Sequence, residues 1–120
     1  MARVVLSVHS LEERNKLSAA FTTLNQAVDA TDGAEFTMSE RDDKYLILIQ
    51  NASTSAKTVT ILHGNGIQGV CDLQENVAAS SYAFVAIDSG RFKNVSGEDK
   101  GKVIIKGASA DIKIAVFKLP

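Results

Sequence analysis

Residues 45–51 read Tyr-Leu-Ile-Leu-Ile-Gln-Asn, the most apolar run in the chain. The charged stretch Glu40 to Lys44 precedes it, and the small polar residues Asn51 to Ser55 follow it. An apolar run of this length, ending in turn residues, reads as a buried central strand. Downstream, Lys57 to His63 alternates, with Val59 and Ile61 on one face and Thr58, Thr60 and Leu62 on the other. With the polar loop between them, Tyr45 to His63 reads as an antiparallel pair.

The same grammar extends in both directions. Toward the C-terminus, Tyr82 to Ile87, Lys102 to Lys106 and Ile112 to Leu119 read as strands, the last two joined by a tight hairpin over Gly107 to Asp111. Asp88-Ser89-Gly90 and Ser96 to Gly101 read as turns. Toward the N-terminus, Asp32-Gly33 is a turn before a short strand over Glu35 to Met38, and Arg3 to His9 is a β-branched first strand. The single proline is the last residue, so none interrupts a strand. About seven short strands with closely spaced turn signals predict a mainly-β fold, an antiparallel β-sandwich or barrel, over residues 30–120.

Leu11 to Asp29 admits two readings. Leu17, Phe21, Leu24 and Val28 recur at helical spacing, and Ser10 with Glu13 has the form of a capping box. Thr22, Thr23 and Asn25 are poor helix formers. Residues 1–29 are therefore expected as a helix packed on the domain or as an extended N-terminal arm.

Composition narrows the function. Of 120 residues, 45% are apolar and none is Trp, so the core is aliphatic with five Phe, and the length suits one domain. Thirteen basic against fourteen acidic residues give a net charge of −1, with no basic cluster to follow a phosphate backbone. Nucleic acid is not an expected partner. No stretch approaches the ~20 apolar residues of a membrane-spanning helix, and the short apolar run after Arg3 is not a signal peptide. No membrane partner is expected, and synthesis in a host cytoplasm fits the single cysteine, Cys71.

Several motifs invite chemistry. Gly64-Asn65-Gly66-Ile67-Gln68-Gly69 matches the dinucleotide fingerprint, with a short helix conceivable over Val70 to Ser80 and an acid at Asp88. The strand before it alternates with Thr, unlike a strand buried on both faces, and no second βαβ unit follows. A loop whose glycines serve turn geometry is the plainer reading. His9 and His63 each end a strand, and zinc would need further carboxylate ligands. Cys71 with His63 and Asp72 outlines a nucleophilic set, against the common role of a lone cysteine as a small buried hydrophobe. Glu40, Asp42 and Asp43, and likewise Asp72 with Glu75, lack the alternation of a calcium loop. Asn51-Ala52-Ser53 and Asn94-Val95-Ser96 fit the glycosylation sequon by chance in a chain without a secretion signal. No catalytic residue, cofactor or metal is assigned, and the chain is expected not to be an enzyme.

The order of four stretches resembles the capsid decoration, or cement, proteins of tailed bacteriophages. They are Ala30-Thr31-Asp32-Gly33 with Phe36; Tyr45 to Asn51 followed by Thr58-Val59-Thr60-Ile61; Ser89 to Asn94; and the terminal pair Lys102 to Ile105 and Ile112 to Val116. The resemblance spans roughly residues 30–119 and rests on order, since each stretch alone is hairpin grammar. It implies a virion protein on the capsid exterior that binds the major capsid protein and bridges its subunits, as a homo-oligomer with a trimer favoured. Arg3, His9, Arg14, Phe21, Arg91, Phe92 and Lys93 are the residues expected to meet the capsid, with Met1 to about Asp29 reaching a neighbour. The alternatives are a phage tail, adhesion or carbohydrate-binding sandwich module, and a nucleotide-binding protein using Gly64 to Gly69.

Overall fold

The computed structural model describes residues 3–11, 13–15 and 26–120. It is a mainly-β sandwich. The described residues form nine strands: β1 (Val4–Val5), β2 (Val8–Ser10), β3 (Ala34–Thr37), β4 (Tyr45–Asn51), β5 (Lys57–Ile61), β6 (Leu73–Val77), β7 (Ser81–Val85), β8 (Lys102–Gly107) and β9 (Ile112–Lys118). A 3-10 turn over Asp42–Lys44 and a one-turn helix, α1 (Ser89–Phe92), are the other regular elements among the described residues. One sheet has the order β1-β3-β8-β5-β6 and the other β2-β9-β4-β7.

The central strand is where the sequence places it. β4 lies between β9 and β7, and Tyr45, Ile47 and Ile49 turn inward. They meet Phe36 of β3 and Met38 just after it, Val59 and Ile61 of β5, and Val103 and Ile105 of β8. Each such buried aliphatic side chain contributes roughly 1.5–3 kcal/mol relative to exposure.

The pairing of neighbours differs from the expectation. β4 and β5 do not form a hairpin, because β4 belongs to the four-stranded sheet and β5 to the five-stranded one. β8 and β9 are divided in the same way. Of the eight steps between consecutive strands among the described residues, only β5 to β6 stays within a sheet. Alternation identifies an inner face, and two strands with inner faces satisfy it across the core as readily as side by side. The stretch Val70 to Ser80 contains strand β6 and no helix.

The N-terminal segment is part of both sheets. Val4 and Val5 pair parallel with Ala34 and Glu35, while Val8 to Ser10 pair parallel with Val116 to Lys118. The sheets are therefore mixed rather than purely antiparallel. Parallel pairing needs a long separation along the chain, and 28 residues separate β1 from β3 while 101 separate β2 from β9. Val4–Val5 and Val8–Ser10 are thus strands of the sandwich itself. The end of the Leu11 to Asp29 stretch is extended too, with Ala27 bridging Lys113. Leu17, Phe21 and Leu24, on which the helical reading rests, lie outside the described residues.

Candidate functional site

The glycine-rich loop links strand β5 to strand β6, so no helix N-terminus follows it to receive a phosphate. Its glycines have a packing cause. A Cβ on Gly64 would lie 2.4 Å from the Lys93 carbonyl oxygen, and one on Gly69 would lie 2.0 Å from the Gly64 carbonyl oxygen. The loop folds on itself and against residues 91–96. Gly64 N–H donates to the Arg91 carbonyl at 2.8 Å, and Gly69 N–H donates to the Gly66 carbonyl at 3.0 Å. Asn65 clamps the two segments: its Nδ2 donates to the Ser96 carbonyl at 2.9 Å, and its Oδ1 accepts from Val95 N–H at 2.8 Å.

This loop pair holds apolar side chains in solvent. Ile67 is 100% exposed, Val70 77% and Val95 53%. Arg91 lies beside them. Its guanidinium stacks over the Phe92 ring at 4.8 Å and donates to the Cys71 and Asp72 carbonyls at 3.2 and 3.3 Å. Arg91 Nη2 also lies 3.0 Å from Cys71 Sγ. Phe92 itself is 3% exposed, a core residue with no surface to offer a partner.

His63 and Cys71 take different partners. His63 Nδ1 lies 2.7 Å from Asp72 Oδ1, which also accepts the His63 backbone N–H at 2.8 Å. That backbone N–H, then the ring, holds the Asp72 carboxyl below the usual carboxylate range. Cys71 faces the arginine instead, so the nucleophile-to-base contact that a cysteine hydrolase needs is not made. The acidic turn is tied into the fold as well. Asp42 accepts the Ser89 N–H at 2.8 Å, Glu40 binds Lys44 at 3.2 Å and also Lys118, and Asp88 caps α1 through Arg91 N–H at 2.8 Å. Among the described residues, no group of three His, Cys, Asp or Glu side chains is placed to hold a metal ion. None of the helices described is long and apolar enough to cross a membrane.

Both sequon asparagines are structural. The Asn51 side chain is fully buried, and the largely buried Asn94 donates to the Lys102 carbonyl at 3.0 Å.

The described residues among those expected to meet a partner are spread over both sheets and the loop pair. Arg3 sits on the outer side of the five-stranded sheet, 3.0 Å from Asp99 and 3.6 Å from Glu35, which Lys102 also binds at 2.9 Å. A shallow depression of about 540 Å³ adjoins this ion network. His9 lies on the other sheet, its ring 5.5 Å from that of Phe117. Arg14 is exposed in the turn that follows β2, and Phe21 lies outside the described residues. Only Arg91 and Lys93 join the exposed loop pair. Ile67, Val70 and Val95 were not singled out from sequence. Their signal was an aliphatic residue inside a glycine-rich or polar stretch, where no core-facing period explains it.

The chain matched no protein-family model, no curated protein and no solved structure.

Proposed function

We propose that this protein is a structural component of a tailed-bacteriophage virion, which binds the outer surface of the capsid and stabilises the expanded shell by bridging its subunits. The observation that supports this most is the loop pair at one end of the sandwich, where Ile67, Val70 and Val95 stand in solvent beside Arg91 and Lys93. Apolar side chains with arginine next to them are the composition of a protein contact. The sandwich beneath gives that surface a rigid base, so little ordering cost accompanies binding. The order of the strand segments, which resembles decoration proteins, supplies the partner: the major capsid protein. A ligand that binds only the expanded lattice stabilises that state by mass action. A trimer at a local three-fold position engages several subunits at once and multiplies weak contacts. The protein works by binding alone and turns over no substrate.

Co-sedimentation with precursor and expanded heads tests this. Saturable binding to expanded heads only is the expected result; equal binding to both forms, or to neither, contradicts it. The module alternative keeps one observation in its favour. Tyr82 and Phe84 are exposed on one face of β7, and rings so placed can stack on a sugar. Glycan-array binding that Tyr82→Ala abolishes would favour that second reading.

A further inference from the structure

The two seams of the sandwich are closed differently. On one side the chain stitches the sheets together: β1 belongs to one sheet, β2 to the other, and Leu6 between them is buried in the core. On the opposite side, edge strands β6 and β7 flank a cavity of about 340 Å³. Ile49, Val59, Ile61, Leu73 and Val85 line it, with exposed Glu75 among them.

Three features of this seam select an occupant. First, no described strand pairs with the outer edge of β7 (Ser-Tyr-Ala-Phe-Val), and the strand carries no charge. An unpaired edge offers a row of N–H and C=O groups that an extended chain satisfies. Second, Ala83 and Val85 line or pack toward the core side, while Tyr82 and Phe84 are 62% and 64% exposed. A strand added beside β7 would send alternate side chains into the cavity and set the others next to these two rings. Third, Glu75 is the one charged residue lining the cavity, and no cation pairs with it among the described residues. β6 pairs Glu75 opposite the inward-facing Val59, so its carboxylate stands on the cavity side.

We infer that the β6–β7 seam is a docking site for an extended segment of a partner protein, with apolar residues at alternate positions and a lysine or arginine set to meet Glu75. A second copy fits less well, because its β7 would bring no basic residue to that carboxylate. A free amphiphile would leave the strand edge unpaired. The inference goes beyond the capsid reading: loss of shell binding would leave it standing, and its own failure would leave shell binding standing.

The test is selection of a displayed library of random nine-residue peptides on the immobilised full chain. The most enriched peptide is then synthesised and used as the probe in amide hydrogen exchange. The expected consensus alternates apolar residues and carries one Lys or Arg, and the peptide slows exchange at the alternate β7 amides that face the open edge. Glu75→Lys, with an unchanged thermal midpoint, should convert the basic preference to an acidic one. Leu73→Trp, which fills the cavity, should weaken binding at least tenfold. Four results would overturn the inference: no enrichment; protection that maps elsewhere; a charge preference that Glu75→Lys leaves unaltered; or the seam taken by another occupant. Another occupant would show as a dimer that Phe84→Lys returns to monomer, or as dodecylamine binding with no peptide enriched.

Discussion

The carboxamide of Asn51 is fully buried and uses both of its ends. Nδ2 donates to the carbonyls of Ser55, Val77 and Ala78 at 2.9, 3.0 and 3.3 Å, and Oδ1 accepts from the Ser53 backbone N–H and hydroxyl at 3.0 and 2.7 Å. One side chain thus fixes the crossover from β4 to β5 and ties it to the end of β6. Asn51→Leu leaves those buried carbonyls without a donor, at about 1–3 kcal/mol. The expected result is a lower denaturant midpoint with an unchanged slope; an unshifted midpoint would contradict the role. In sequence, Asn51 is legible as the end of a strand and the start of a turn. Its burial is not, because the carbonyls it serves lie 26 and 27 residues away. Charged residues give a second prediction at this scale. Glu40 is held below the usual carboxylate range by Lys118 and then Lys44, Asp42 by the Ser89 N–H, and Asp29 by the Asp32 N–H. A carboxyl with a depressed folded-state pKa adds stability above its unfolded value, about 4, and loses it as pH falls through the folded value. Calorimetry should therefore show a thermal midpoint that declines progressively below about pH 4. A midpoint that rises on acidification would contradict these contacts.

At the level of elements, the N-terminal segment closes one seam by pairing first with β3 and then with β9. Leu6 is the plug at the point of exchange. Leu6→Ala removes buried aliphatic volume from the joint between sheets and should cost about 2–5 kcal/mol. A loss under ~0.5 kcal/mol, the scale of a surface change, would mean that the seam is sealed otherwise. The glycine loop is predicted to respond to size rather than to ligands. Gly69→Ala should lower the thermal midpoint, since its Cβ meets the Gly64 carbonyl, while nicotinamide and adenine nucleotides should produce no shift. A shift of several degrees with a nucleotide would restore the fingerprint reading. Strand positions along β3, β4, β5, β7, β8 and β9 were legible from alternation and turn residues. The partners of those strands were not. A period of two records which side chains face the core, but Val59 and Ile47 satisfy it equally from opposite sheets. β6, with Gln74, Glu75 and Asn76 at its centre, has the composition of a surface loop, and only its pairing with β5 makes it a strand.

For the whole molecule, a net charge of −1 and an aliphatic core leave a domain whose distinguishing features lie at its surface. The loop pair around Ile67 was visible in sequence as a glycine motif, but its contact with residues 91–96 depends on the folded chain. Ile67→Asp with Val70→Asp changes exposed positions only, so stability should stay within about 0.5 kcal/mol. Binding to expanded heads should fall at least tenfold; unchanged binding would move the capsid contact elsewhere on the surface. The most direct measurement is electron cryomicroscopy of expanded heads assembled without the protein and then incubated with it. The account predicts added density on the outer surface at the junctions of capsid subunits, with the end carrying Ile67 and Arg91 toward the shell. Heads whose outer surface is unchanged by saturating protein would contradict it.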